Sequence, residues 1–242
     1  MNQILDDHSF DTIQAQTAAR QFFGKVYAFM FGALLISGAI AYQYGTMDFI
    51  TSYFFDQVGQ NFKPNILYYV VLFAPLGIAI AMQSMVKRLS FAMLFLLFAA
   101  YSVLLGFGLS TIFVTYSIGS IVSTFFATAG AFGAMAIMGY VTKVDLTKFG
   151  SILYMGFIGI FIAGIVNFFM KSDTLQYIIS MIGVLVFTGL TAYHMQKLKE
   201  FALNAQASEE EKNKIALLGG FTLYVLFINL FLSLLNLFGS RD

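Results

Sequence analysis

IALLGGFTLYVLFINLFLSLLNLF, residues Ile215–Phe238, contains no charged side chain. It is longer than the ~20 residues a helix needs to cross the hydrocarbon core of a bilayer. Six earlier stretches share its character: Phe22–Tyr44, Ile66–Val86, Leu89–Leu109, Ser117–Val141, Phe149–Met170 and Thr174–Met195. No Asp or Glu falls in any of the seven. In hydrocarbon every backbone N–H and C=O must find its partner within the segment or a closed barrel, so long apolar runs of this kind read as helices. The fold expected is an all-α integral membrane protein, a seven-transmembrane-helix bundle.

Composition points the same way. Hydrophobic residues are 59% of the 242 and charged residues 10%, against roughly 25% charged in a soluble domain. Seven helices and their connections use nearly the whole length, so one transmembrane domain over 21–239 is expected, preceded by a polar cytoplasmic segment, 1–20. A net charge of +1 without a basic stripe leaves nothing to neutralise phosphates, which excludes nucleic acid as a partner. The lack of cysteine removes disulfides and thiolate metal sites. Asp6, Asp7 and Asp11 stand where a cleavable leader would be positive, so the first apolar run is expected to remain in the mature protein.

Basic residues divide unevenly between the two sides. Arg20, Lys25, Lys87, Arg88, Lys143, Lys148, Lys197, Lys199, Lys212 and Lys214 fall on one, and only Lys63, Lys171 and Arg241 on the other. The positive-inside rule places the N-terminus in the cytoplasm and the end of the seventh helix outside. The longest cytoplasmic loop contains Ser208-Glu209-Glu210-Glu211. A serine N-cap with Glu at the third helical position predicts that the seventh helix starts there, in water.

Small residues at close-packing spacing mark candidate contact faces: Ala127/Ala131, Ala129/Gly133 and Gly139 in the fourth run, and Gly156, Gly159 and Ala163 in the fifth, ending at Asn167. Such faces let backbones approach in lipid, and Asn167 is expected to hydrogen-bond between helices. In the seventh run Thr222, Leu226, Asn229, Ser233 and Asn236 lie on one helical face. Thr188, Thr191 and His194 form a matching strip in the sixth. Polar residues this deep must face protein or water. They read either as dry interhelical hydrogen bonds or as a hydrated path for ions or protons. His194 lacks an acid or cysteine beside it, so it makes no metal site alone. Catalytic motifs are missing: no HExxH pair, no GxSxG elbow, no phosphate-cradling Gly-Lys-Ser/Thr loop and no pair of intramembrane acids. No enzyme and no cofactor are expected, and the seventh helix has no lysine for a retinal Schiff base.

Three segments carry a family resemblance. Gly139-Tyr140-Val141-Thr142-Lys143-Val144-Asp145-Leu146 leads into the fifth run, and Gly189-Leu190-Thr191-Ala192-Tyr193-His194-Met195-Gln196-Lys197-Leu198-Lys199 ends the sixth. Leu223-Tyr224-Val225-Leu226-Phe227-Ile228-Asn229-Leu230-Phe231 lies in the seventh. With Gly106 and Ile112, these resemble the bacterial branch of the Bax inhibitor-1 family over roughly 21–239. The resemblance implies a bundle whose seventh helix is central and ringed by the others. It also implies a pH-sensitive calcium leak, protection against stress-induced death in eukaryotes and, in some bacteria, restraint of a membrane protease. The family's pH sensor is an aspartate pair, one in the sixth helix and one in the seventh, latched by a basic residue at the cytoplasmic end of the second.

Here the matching positions hold His194 and Leu226, while the basic residue survives as Arg88 with Lys87 beside it. Two carboxylates sharing a proton titrate as a coupled pair, and His194 with Leu226 cannot. The expected function is a weak cation leak, of calcium or protons, in the bacterial inner membrane without the di-aspartate sensor. The alternative is a non-transporting regulatory partner of a membrane protease or other membrane complex. The lipid bilayer is the partner common to both. Candidate path or sensor positions are His194, Leu226, Arg88, Thr191, Asn229, Thr222 and Ser233, with no catalytic, cofactor or metal-binding residue among them. His194 is expected to be uncharged and structural, tying the sixth helix to the seventh or the second.

Overall fold

Helix starts follow local chemistry. Asn65, Ser90, Ser117 and Ser208 each accept, through a side-chain oxygen, the backbone N–H three residues on, at 3.1 to 3.3 Å. Each satisfies one of the donors that a helix N-terminus leaves unpaired. The computed structural model describes residues 2–58, 61–204 and 207–240, with side chains from Gln16 onward except at 58, 61 and 204. Arg241 and the side chains of Asp6, Asp7 and Asp11 therefore lie outside the described residues.

In chain order the elements are α1 (Asn2–Tyr44), α2 (Met47–Phe54), β1 (Phe55–Val58), β2 (Asn61–Pro64), α3 (Ile66–Ser84), α4 (Phe91–Leu109), α5 (Ile112–Thr115), α6 (Ile118–Val141), α7 (Thr147–Met170), α8 (Asp173–Asn204) and α9 (Glu209–Phe238). Seven stretches are long and apolar enough to span a membrane, carried by α1, α3, α4 with α5, α6, α7, α8 and α9. The seven-helix reading holds. The first loop contains what the apolar pattern did not announce: α2 and an antiparallel hairpin pairing Phe55 with Pro64 and Val58 with Asn61. α8 also outruns its apolar run, reaching Asn204, and α9 starts at the Ser208 cap as expected.

α9 is the axis. In its span 67% of the most apolar window is buried, against 6% in α7. α8, α1, α6 and α4 pack around it, while α7 leans chiefly on α8 and α3 chiefly on α4. Phe221, Leu223, Tyr224, Leu230 and Leu235 are fully enclosed. Phe98 and Tyr101 of α4 meet Phe221 edge-on, with ring centroids 5.3 and 4.9 Å apart. Such aromatic pairs add specificity beyond the area they bury.

The small-residue spacing located only part of the contact surface. On α6 the buried face is Ile121, Thr124, Thr128, Phe132, Ala136 and Gly139. Ala127 and Ala129 are exposed, and a side chain at Gly133 would meet open space. On α7, Gly156 touches α8, where a Cβ would come 2.9 Å from Val186, but Gly159 is open. Asn167 donates to Gln176 of α8 at 3.1 Å and accepts Ser172 N–H at 3.0 Å. It thereby holds the turn in which Lys171 takes a left-handed φ of 51°.

Candidate functional site

His194, Leu226 and Arg88, three of the candidate positions, occupy three environments. His194 Nε2 lies 3.0 Å from the Tyr154 hydroxyl, and its ring meets Tyr193 and Tyr154 edge-on. Its partner is thus on α7, the fifth span, where the phenol is long enough to reach across the α7–α8 seam. The expected tie to the seventh or second span is replaced by this one. Leu226 is 4% exposed and belongs to the apolar core. Arg88 is exposed in the turn between α3 and α4, its backbone N–H donating to Met85 O. Lys87 beside it lines a 360 Å³ cleft with Glu210, Glu211 and Lys214 at the start of α9.

The polar stripes turn back on their own helices. Thr191 is fully buried and donates to Phe187 O at 2.7 Å. Asn229 donates to Val225 O and Ser233 to Asn229 O, both at 2.8 Å. Asn236 donates to Leu232 O at 3.0 Å and accepts from Tyr116 at 2.9 Å. Thr222 is half-buried. Side chains bonded to carbonyls four residues back stay satisfied without water. Thr191, Asn229 and Ser233 thus bond within their own helices rather than between helices.

What the structure does bring together is the first two of the quoted segments. Gln196, 7% exposed, accepts Leu146 N–H and donates to Val144 O, both at 2.8 Å. Lys199 donates to Tyr140 O at 2.7 Å and sits over the Tyr140 ring. Gly139 runs against the α8 backbone at Ala192, and Gly150 against the ring of Tyr193. The 270 Å³ cleft so formed is lined by Thr142, Lys143, Asp145, Gln196, Lys199, Glu200 and Leu203. Thr147 donates its hydroxyl and backbone N–H to Asp145. Those bonds hold the Asp145 carboxyl below its ordinary value. Gln196 was not among the candidate positions, although it stands in a quoted segment two residues from His194. The one signal in the sequence was its place, a glutamine directly after the sixth apolar run.

A second buried polar group lies at the centre. The Tyr224 hydroxyl, fully enclosed, sits beside Ser37 of α1 and Ser102 of α4 without completing a hydrogen bond. Both serines already donate to their own helices, to Ala33 O and Phe98 O at 2.9 Å. Among the described residues no group of three His, Asp or Glu side chains converges where a metal ion could be held.

The family profile "Inhibitor of apoptosis-promoting Bax1" matches residues 19–242. The chain belongs to the Bax inhibitor-1 family. Its similarity to the Escherichia coli K12 inner membrane protein YbhL is 38% identity over 230 residues, 95% of each chain. A Borreliella burgdorferi protein is 39% identical over 221 residues, covering 91% of this chain and 92% of its own. A membrane protein of Streptococcus pyogenes serotype M6 is 31% identical over 242 residues, covering 98% and 100%. This Bax inhibitor-1 protein is thus a multi-pass protein of the inner membrane. The central position of α9 is the one the family resemblance implies.

Proposed function

We propose that this Bax inhibitor-1 protein acts as a non-transporting regulatory partner of another membrane complex, a membrane protease being the class that the family resemblance implies. The observation that carries this reading is the filled centre: Phe221, Tyr224, Leu226, Phe227 and Leu230 of α9 are buried together in the apolar core. Calcium takes six to eight oxygen ligands, carboxylates among them, and none of the seven apolar runs supplies an acid. The cytoplasmic-side geometry supports the same reading. Gln196 clips the α6–α7 loop and Lys25 of α1 donates to Asn213 of α9 at 2.7 Å, two fixed points on that side for a partner to meet. A second reading, a weak leak of calcium or protons without the aspartate pair, is favoured by one observation: the hydroxyls of Ser37, Ser102 and Tyr224 gathered at the centre.

Purified protein in liposomes, assayed for calcium and proton flux from about pH 5 to pH 8, the range in which histidine titrates, separates the two. Affinity isolation from native membranes runs in parallel. A stoichiometric partner without flux is the expected result. Flux without a partner overturns it in favour of the leak.

A further inference from the structure

Beyond Phe238, where α9 ends, Gly239 and Ser240 turn aside and lie along the start of α6. Gly239 is extended, at φ −71° and ψ 131°, as are Tyr116 and Ser117 opposite it. Ser117 N–H donates to Ser240 O at 3.2 Å, and Ser240 N–H donates to Ser120 Oγ at 2.9 Å. The Tyr116 hydroxyl adds its bond to Asn236 at 2.9 Å. The strap passes this close because residue 239 has no side chain: a Cβ there would come 2.7 Å from the Tyr116 ring. We propose that this strap is a latch, and that α6 is the helix it holds, one that swings about its C-terminal end when the strap lets go.

The opposite end of α6 has the character of a pivot. A Cβ at Gly139 would run into the Ala192 backbone, and Lys199 donates to Tyr140 O at 2.7 Å. Among the described residues, the hydrogen bonds that tie α6 to other elements all lie at its two ends. Thr128, midway, turns back to Thr124 O at 2.7 Å. Against α9 the middle of α6 offers edge-on rings, Phe125 and Phe132 each 5.5 Å from Phe227. Sliding such contacts leaves no polar group unpaired, so the penalty that fixes a buried hydrogen bond does not oppose the movement. Room exists on one side. α6 leans on α8 and α9, and toward α1 a gap opens between Leu34 and Gly38 on one wall and Ile121 and Val122 on the other. Ile121 and Val122 belong to the first turns of α6, so the free space adjoins the latched end. From Ile118 to Gly139 the helix is a lever of roughly 30 Å, and a rotation of about 10° carries its tip about 5 Å. Each of the three latch bonds is worth roughly fivefold in population, which sets the released form at about one molecule in 100, within the range of an accessible minor state. The movement requires neither an ion path nor a partner.

The cysteine-free chain allows paired spin labels, with distances read by double electron–electron resonance in lipid nanodiscs. Gln43→Cys with Ile118→Cys, both exposed, spans α1 and the latched end of α6. Gln21→Cys with Ile137→Cys, also exposed, spans α1 and the pivot end. Ser120→Ala removes the acceptor of Ser240 N–H, and Gly239→Val drives a side chain against the Tyr116 ring. Each should raise a second, shorter Gln43–Ile118 distance about fivefold in population, the shift that loss of one hydrogen bond produces. The Gln21–Ile137 distance should stay single. Ser120→Thr, which keeps the hydroxyl, should match the parent. Distances unchanged in both Ser120→Ala and Gly239→Val overturn the proposal. So does an equal change at the pivot pair, which would mean general loosening, or a Ser120→Thr variant that behaves like Ser120→Ala.

Discussion

Gly139→Ala should be among the most damaging single-methyl changes in this protein. Gly139 lies near the C-terminal end of α6, where α8 crosses it backbone to backbone. A Cβ built there would contact Ala192 O and come 2.6 Å from Ala192 Cα and 2.7 Å from its carbonyl carbon. Ordinary carbon–carbon contacts lie at ~3.5 to 4.0 Å, so α6 and α8 must separate by about 1 Å. The atoms in the way are backbone, which no rotamer change can move. Overpacking of this type costs ~1–3 kcal/mol, occasionally more. The separation also strains the Gln196 bonds to Val144 and Leu146 and the Lys199 bond to Tyr140. Each is worth about 1 kcal/mol net. The sum is a loss of about 3 kcal/mol or more. Gly133→Ala, less than two turns earlier on α6, is the matched comparison, because a Cβ there meets open space. Alanine's better helix propensity should make it neutral or stabilising by up to ~1 kcal/mol. Unfolding free energies of both variants in mixed micelles, titrated with a denaturing detergent, measure the difference. If Gly139→Ala lies within about 0.5 kcal/mol of Gly133→Ala, the close-approach argument is wrong.

Gln196→Leu should cost ~1–3 kcal/mol in the same assay, since it leaves Leu146 N–H and Val144 O without their partner. It should also speed proteolysis of the 142–146 loop. His194→Gln should leave stability nearly unchanged, while His194→Leu and Tyr154→Phe should each lose about 1 kcal/mol, typical of a hydrogen bond between helices in a bilayer. Their double variant should lose little more, and full additivity would contradict the His194–Tyr154 bond. Thr147→Val should raise the Asp145 titration toward the ordinary carboxylate value, as read by carbon NMR of the carboxyl group. In the parent the lowered value means that this stabilisation is present above the ordinary carboxylate range and lost as pH falls through the lower folded value. For orientation, single cysteines at Ser52 and Ala207 in this cysteine-free chain should behave oppositely toward an impermeant thiol reagent on intact cells. Ser52→Cys should label and Ala207→Cys should not, and the reverse pattern would invert the topology.

The spans were legible because bilayer thickness imposes one length on every crossing, and an acid-free run such as Ile215–Phe238 has few other ways to satisfy its backbone. The start of α9 was legible too, since a cap is a local bond and Ser208 stands three residues before Glu211. Which face of a helix meets which neighbour was harder to read. Ala127/Ala131 and Gly139 carry the same kind of spacing signal, yet only Gly139 meets a backbone, because contact depends on where another helix crosses. The partner of His194 was hidden for the same reason. Tyr154 is 40 residues away, and nothing in either segment names the other. The β1–β2 hairpin rests on backbone pairing between Phe55–Val58 and Asn61–Pro64 in a polar loop, where hydrophobic periodicity has nothing to report.

The central helix is the last of the seven to be made. α1 and α9 are extensive neighbours, yet more than 160 residues separate Tyr44 from Glu209. At ~5–20 residues per second of synthesis, α1 waits roughly 10–30 s for the helix it will enclose. During that interval the inner faces of α1, α4, α6 and α8, which later cover α9, have lipid or an insertion factor against them instead. Ser37 and Ser102, which Tyr224 later covers, then face whatever fills the gap. Any ribosomal pause or truncation ahead of α9 leaves an open ring rather than a smaller bundle. The abundance of this protein should therefore respond to translation speed over its final crossing.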